Sequence, residues 1–171
     1  MFKKTSFVSN NEKGFTLLEL LLYISTASII LATTSLFLST LLEARIKNQT
    51  VAEVEQQGLQ VIQILTQSIR NAESISAPSL GQNSQSLTIT ESGEEIIFNV
   101  SDGVIQMQEG VQSIVPLTNS RVIASGVSFS NLGLQNTNGS IKISFTLTHK
   151  NDTGRNEYTF TKDFLGSASL R

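Results

Sequence analysis

Between Phe15 and Leu42 the chain reads FTLLELLLYISTASIILATTSLFLSTLL, which holds 18 apolar residues and one ionisable residue, Glu19. As a helix rising about 1.5 Å per residue this run reaches roughly 42 Å, longer than the ~30 Å hydrocarbon core of a bilayer. The rest of the chain must therefore be organised around an anchor. A secretory signal has a shorter apolar core closed by a small-residue cleavage site, and no such site closes this run, so the segment is expected to stay on the mature protein. Residues 1–14, MFKKTSFVSNNEKG, set Lys3, Lys4 and Lys13 against the single acid Glu12. The positive-inside rule then places the amino terminus in the cytoplasm and everything after Leu42 outside.

A length of 171 residues suits one compact domain with an appendage. The net charge of -2, with 15% of residues charged, supplies no basic field of the kind nucleic-acid binders use, and no specific nucleic-acid partner is expected. Cysteine is absent, which excludes disulfide staples, cysteine-ligated zinc and thiol catalysis and leaves the redox compartment open.

Helical periodicity continues beyond the apolar run. Val51, Val54, Gly58, Val61, Leu65 and Ala72 recur at three- and four-residue steps with Ile62 and Ile69 alongside, while Glu53, Glu55, Gln56, Gln60, Gln63, Gln67 and Arg70 fill the other positions. The pattern predicts one helix from about Phe15 to about Ser74, stopped by SAPSLGQNSQ, with residues 76–86 as a loop. Gly58 inside it costs about 1 kcal/mol relative to alanine, so it marks either a close approach or a tolerated weakness.

After residue 84 the period changes to two. QSLTIT, EEIIFNV, GVIQMQ, RVIASGVSFSNL, GSIKISFTLTHK and NEYTFTKDFL read as about six antiparallel strands. In the clearest, Ile141, Ile143, Phe145 and Leu147 alternate with Lys142, Ser144, Thr146 and Thr148, giving one dry face and one wet face. The apolar stripe of residues 51–72 can cover the dry face, which predicts an α+β fold: a long N-terminal helix packed on a small antiparallel β-sheet head. The expected divisions are 1–14, 15–42, 43–74 and 75–171.

His149, the only histidine, reads as an ordinary surface residue, and no metal site is expected on it. NDTGRNE supplies too few acidic oxygens for a calcium loop and reads as an Asx-type hairpin turn. The glycosylation sequons NQT, NVS, NGS and NDT fit a chain rich in Asn, Ser and Thr by chance. No nucleophile elbow or phosphate loop is present, so neither an enzymatic activity nor a cofactor is expected.

Lys13 and Gly14 stand directly before the apolar run, and Phe15, Thr16, Leu17, Leu18 and Glu19 open it. This segment resembles the cleavage and methylation site of type IV prepilins and of the pseudopilins of type II secretion and competence systems. The resemblance implies cleavage by a membrane peptidase between Gly14 and Phe15, N-methylation of Phe15, and an assembly role for Glu19 as the fifth residue of the mature chain. It also supplies a chemical reason for a carboxylate in an apolar helix. Cleavage frees an amine four residues upstream of Glu19, about 6 Å away along a helix axis. An acidic residue at a membrane-helix centre costs about 2.5–3.5 kcal/mol, less near the interface, and pairing with an amine offsets part of that cost. The pair can form within one chain or, as the resemblance implies, with a neighbouring subunit.

Ser25, Ser28, Ala32, Ser35 and Ser39 fall at steps of three and four, with Thr26, Thr33 and Thr40 beside them. Small residues so spaced let helix backbones approach closely in lipid, and the seam reads either as a packing stripe or as simple dilution of a long anchor.

Many major pilins carry a proline in the second half of the apolar segment and close a disulfide loop. Here Leu36 stands in that region, no proline lies between residues 15 and 77, and there is no cysteine. LQVIQILTQSIRNAESI, PLTNSRVIASGVSFSNLG and YTFTKDFLGSASLR are closer to minor pilins of the PilW or GspJ type. The expected partners are the prepilin peptidase and methylase, other major and minor pilins contacted through the N-terminal helix, and an inner-membrane assembly platform. A minor pseudopilin of a secretion or DNA-uptake system shares these features, and an uncleaved single-pass binding module is the reading from another class.

Overall fold

The computed structural model describes residue 14 and residues 16–134 and 139–171. The chain divides into two compact units, Met1–Leu42 and Glu43–Arg171. One helix, α1 (Leu17–Asn71, 55 residues), belongs to both. It has no proline and one glycine in its interior.

In the first unit the helical residues are exposed throughout, including Leu17, Leu21, Ile29, Ile30, Leu36 and Phe37. This helix is long and apolar enough to cross a membrane. A contiguous exposed apolar surface of this extent marks a site of interaction with a membrane or with other protein.

In the second unit α1 buries Thr50, Val54, Gly58, Val61, Leu65 and Ile69 along one face. Full burial of Val54, Val61, Leu65 and Ile69 contributes about 1.5–3 kcal/mol for each side chain. The helix ends three residues before the expected Ser74, because the chain is captured by a sheet: the Glu73 amide donates to the Thr90 carbonyl at 2.8 Å, and Ser74 opens the first strand.

Nine strands follow among the described residues: β1 (Ser74–Ala77), β2 (Asn83–Ser84), β3 (Leu87–Glu91), β4 (Glu94–Ser101), β5 (Val104–Glu109), β6 (Val115–Pro116), β7 (Val122–Asn131), β8 (Ser140–His149) and β9 (Thr161–Ser169). They form two antiparallel sheets, ordered β1-β3-β4-β5-β6 and β2-β7-β8-β9. The fold is therefore α+β as expected, with two sheets in place of one. Residues 76–86, expected as a loop, contribute the end of β1 and all of β2. NEYTFTKDFL divides into a single 3₁₀ turn, Asn156–Tyr158, and a strand that begins at Thr161.

Two hairpins follow directly from local chemistry. Ser92 and Gly93 between β3 and β4, and Asp102 and Gly103 between β4 and β5, all take positive φ, the requirement of a tight turn matched to strand twist. β7 contains a register shift between Ser125 and Ser128. The extra residue changes the inward parity, so Val122 and Ala124 before it and Val127 and Phe129 after it are all buried.

Ile141, Ile143, Phe145 and Leu147 of β8 are buried, as the alternation predicts. They join one core with the α1 stripe, Phe129, Phe164, and Leu87, Ile89, Ile96, Phe98 and Ile105 of the five-stranded sheet. Phe164 stacks on Phe145 with centroids 5.3 Å apart. Gly58 faces that ring: a Cβ at position 58 would overlap Phe164 Cζ, Cε1 and Cε2. Of its two readings, the structure selects close approach.

Buried Asn131 fastens the far end of β7. Its Nδ2 donates to the Pro78 carbonyl at 2.8 Å, and its Oδ1 accepts from the Gly133 amide at 3.0 Å.

Candidate functional site

The N-terminal end of α1 is built by Thr16. Its carbonyl accepts from the Leu20 amide at 3.1 Å, and its Oγ1 accepts from the Glu19 amide at 3.2 Å. Thr16 is thus the N-cap, satisfying one of the four amides that a helix start leaves without an intrahelical partner. Glu19 occupies the third helical position, where a carboxylate faces the positive end of the helix dipole and gains about 0.3–1 kcal/mol when exposed. T-x-x-E is the capping-box signature. It was legible in FTLLE, and it gives the carboxylate a local electrostatic role that does not require cleavage.

Gly14 is exposed, with open space where a Cβ would stand. Phe15, the expected site of cleavage and methylation, and the leader residues 1–13 lie outside the described residues. The structure accordingly places Gly14 and Glu19 on either side of the cap and gives no distance between the Phe15 amine and Glu19.

Ser25, Ser28, Ala32, Ser35 and Ser39 are all helical and exposed. At 100° per residue they fall within an arc of about 80°. Two of the seam hydroxyls turn back onto the helix: Ser25 Oγ donates to the Leu22 carbonyl at 2.9 Å and Ser28 Oγ to that of Ile24 at 2.7 Å. Thr33, Thr34 and Thr40 donate in the same way to Ile30, Ile30 and Leu36. Back-bonding satisfies a hydroxyl in an apolar medium without a partner. What these residues then offer a neighbouring helix is smallness, since a Ser or Ala side chain permits close backbone approach.

The second unit holds a different polar assembly. Glu53 on α1 accepts from Asn119 Nδ2 at 3.0 Å, lies 3.4 Å from Arg121 Nη1 and approaches His149 Nε2 at 3.8 Å. The Asn119 amide also donates to Gln57 Oε1 at 3.2 Å. Glu53, Arg121 and His149 line a cleft of about 410 Å³ with Tyr158, whose ring lies 6.1 Å from that of His149.

The expectation that His149 is an ordinary surface residue is corrected. Its side chain is 10% exposed, and its buried Nδ1 has no hydrogen-bond partner among the described residues. Strand β8 turns the ring beneath Tyr158 and toward α1, a placement that position in the sequence does not reveal. The cluster ties the helix to the start of β7 and the end of β8, and its members come from residues 53, 119, 121 and 149, far apart in the chain.

Asn151 makes the expected Asx turn. Its Oδ1 accepts from the Thr153 and Gly154 amides at 3.2 and 2.9 Å, while its Nδ2 donates to the Arg155 carbonyl.

No protein-family model, curated protein or solved structure matches the chain. The architecture alone, a long N-terminal helix with antiparallel sheets, is compatible with a pilin-like fold.

Proposed function

We propose that this chain is a minor type IV pilin, a low-abundance filament subunit cleaved between Gly14 and Phe15, methylated on Phe15, and used to initiate or cap pilus assembly. The observation that carries the reading is the placement of KGFTLLE. The motif sits at the start of a 55-residue helix whose first part is apolar and exposed and whose last part is the core element of a β-rich unit. An exposed apolar helix with a small-residue face suits storage in a membrane and later packing against other such helices. The proposed partners are the prepilin peptidase, other pilins and an inner-membrane platform. The proposed location is a single pass through the inner membrane with the carboxyl-terminal unit outside, then the filament.

Glu19 has two successive roles in this reading. In the precursor it serves the helix N-terminus beside Thr16, and after cleavage it meets an amine, its own or a neighbour's. Intact mass and amino-terminal sequencing of the membrane-extracted protein test the proposal directly. A chain beginning with methylated Phe15 supports it, and a chain still beginning with Met1 refutes it. Glu19→Ala is expected to be cleaved normally and to enter filaments poorly; normal incorporation would remove the assembly role.

A further inference from the structure

Two antiparallel sheets have four edges, and among the described residues three of these are short. β1 has four residues, while β2 and β6 have two each and β6 contains Pro116. The fourth edge, β9, runs nine residues without proline or bulge and pairs with β8 from Thr161 to Ser169 in one continuous register.

The pairing parity tells which backbone groups of β9 are free. The His149 amide donates to the Phe160 carbonyl and the Leu170 amide to the Gly139 carbonyl, so the even-numbered residues of this strand direct their amides and carbonyls toward β8. Those of Thr161, Asp163, Leu165, Ser167 and Ser169 point away from it. All five residues are exposed, and among the described residues no further strand or backbone hydrogen bond takes up these outward groups. Natural edges of this length are ordinarily blunted, and an uncovered one is a template for another strand.

The space beside β9 also has a roof. Glu55 pairs with Lys162 at 2.5 Å, Gly58 faces Phe164, and Ile62 faces Gly166, so one flank of α1 lies along β9. On the helical projection Leu59 lies beyond Glu55 and Ile62 on that flank, and it is 64% exposed. A strand added to β9 would place its inward side chains beneath Leu59.

We infer that β9 is a docking edge that takes one extended strand of a partner protein, apolar at its inward positions and carrying a basic residue opposite Asp163. Charge selects the base: among the described residues exposed Asp163 has no ion-pair partner and accepts a hydroxyl from Thr146 at 2.6 Å. Leu165, 70% exposed beside it on the same face, calls for an apolar residue two positions from the base. A second copy of this chain is disfavoured. Antiparallel self-pairing centred on Leu165 sets Asp163 opposite Ser167 and leaves both carboxylates uncompensated.

The test uses the full chain in detergent micelles and a fluorescent peptide, Thr-Val-Thr-Ile-Leu-Val-Lys-Ser-Thr, with a control in which Glu replaces Lys. Cleavage and filament formation play no part, so the result is separable from the pilin reading. The lysine peptide should bind saturably and in preference to the control. Ser167→Pro removes an outward amide and leaves the bonds to β8 intact, so it should weaken binding by at least about tenfold with the thermal midpoint unchanged. Asp163→Lys should weaken the lysine peptide by about fivefold and reverse the preference, a readout that holds even if the proline variant is less stable. Absence of saturable binding, retention of it by a folded Ser167→Pro chain, or a wild-type dimer that Ser167→Pro dissolves would each overturn the inference.

Discussion

Replacing Gly58 with alanine sets two calculable effects against each other. In an exposed helix interior the change is favourable by about 1 kcal/mol, because alanine has the higher helix propensity. Here the new methyl would overlap three atoms of the Phe164 ring, and that ring is 6% exposed and stacked on Phe145. The ring cannot swing into solvent, so it must withdraw within a packed core at an overpacking cost of about 1–3 kcal/mol. With the ring pinned on both sides the upper part of that range applies, and a net destabilisation of about 2 kcal/mol is expected. Phe164→Leu removes the atoms that collide. In that background Gly58→Ala should be stabilising by about 1 kcal/mol, so the two backgrounds should differ by about 3 kcal/mol. The chain has no tryptophan and two tyrosines, so Tyr23→Phe leaves Tyr158 as a single fluorescent reporter in the β-rich unit. Urea titration of the four variants in micelles, all carrying Tyr23→Phe, measures the cycle. If Gly58→Ala raises stability with Phe164 present, or costs the same in both backgrounds, the close-approach argument is wrong.

Two further substitutions probe the β-rich unit. Asn131→Ala leaves the Pro78 carbonyl and the Gly133 amide without their partner, and a loss of about 1–3 kcal/mol is expected in the same titration, with hydrogen exchange rising first at residues 78–82. His149→Phe keeps a ring beside Tyr158, removes the Nδ1 that has no partner among the described residues and gives up the 3.8 Å approach to Glu53. A change within about 1 kcal/mol of neutral is expected, because a buried polar group without a partner contributes little beyond its volume.

Much of this molecule was readable in advance, and the gaps share one cause. The apolar run, the helical stripe through Leu65 and Ile69, the alternation in β8 and the Ser92–Gly93 and Asp102–Gly103 turns are all local, each set by side chains within a turn or two of one another. The T-x-x-E cap at Thr16 was equally local and was hidden only by the more conspicuous features of the same segment. By contrast, β1, β2 and β6 span two to four residues and are strands only because a longer neighbour supplies their hydrogen bonds. No propensity marks them.

The candidate site divides along the same line. Gly14, Glu19 and the seam from Ser25 to Ser39 lie close together in the chain, so their spacing carries their geometry: a helix long and apolar enough to cross a membrane, a cap and a narrow-sided helix face follow from the amino-acid order alone. The Glu53–Arg121–His149 cluster, the seat of Gly58 on Phe164 and the Glu55–Lys162 pair beside the open edge of β9 each join a residue of α1 to one more than sixty positions further along the chain. Periodicity determines which face of an element is apolar. Which face it meets, which edge is left bare, and which lone histidine is drawn inward are settled only when the strands pair and the helix is laid across them.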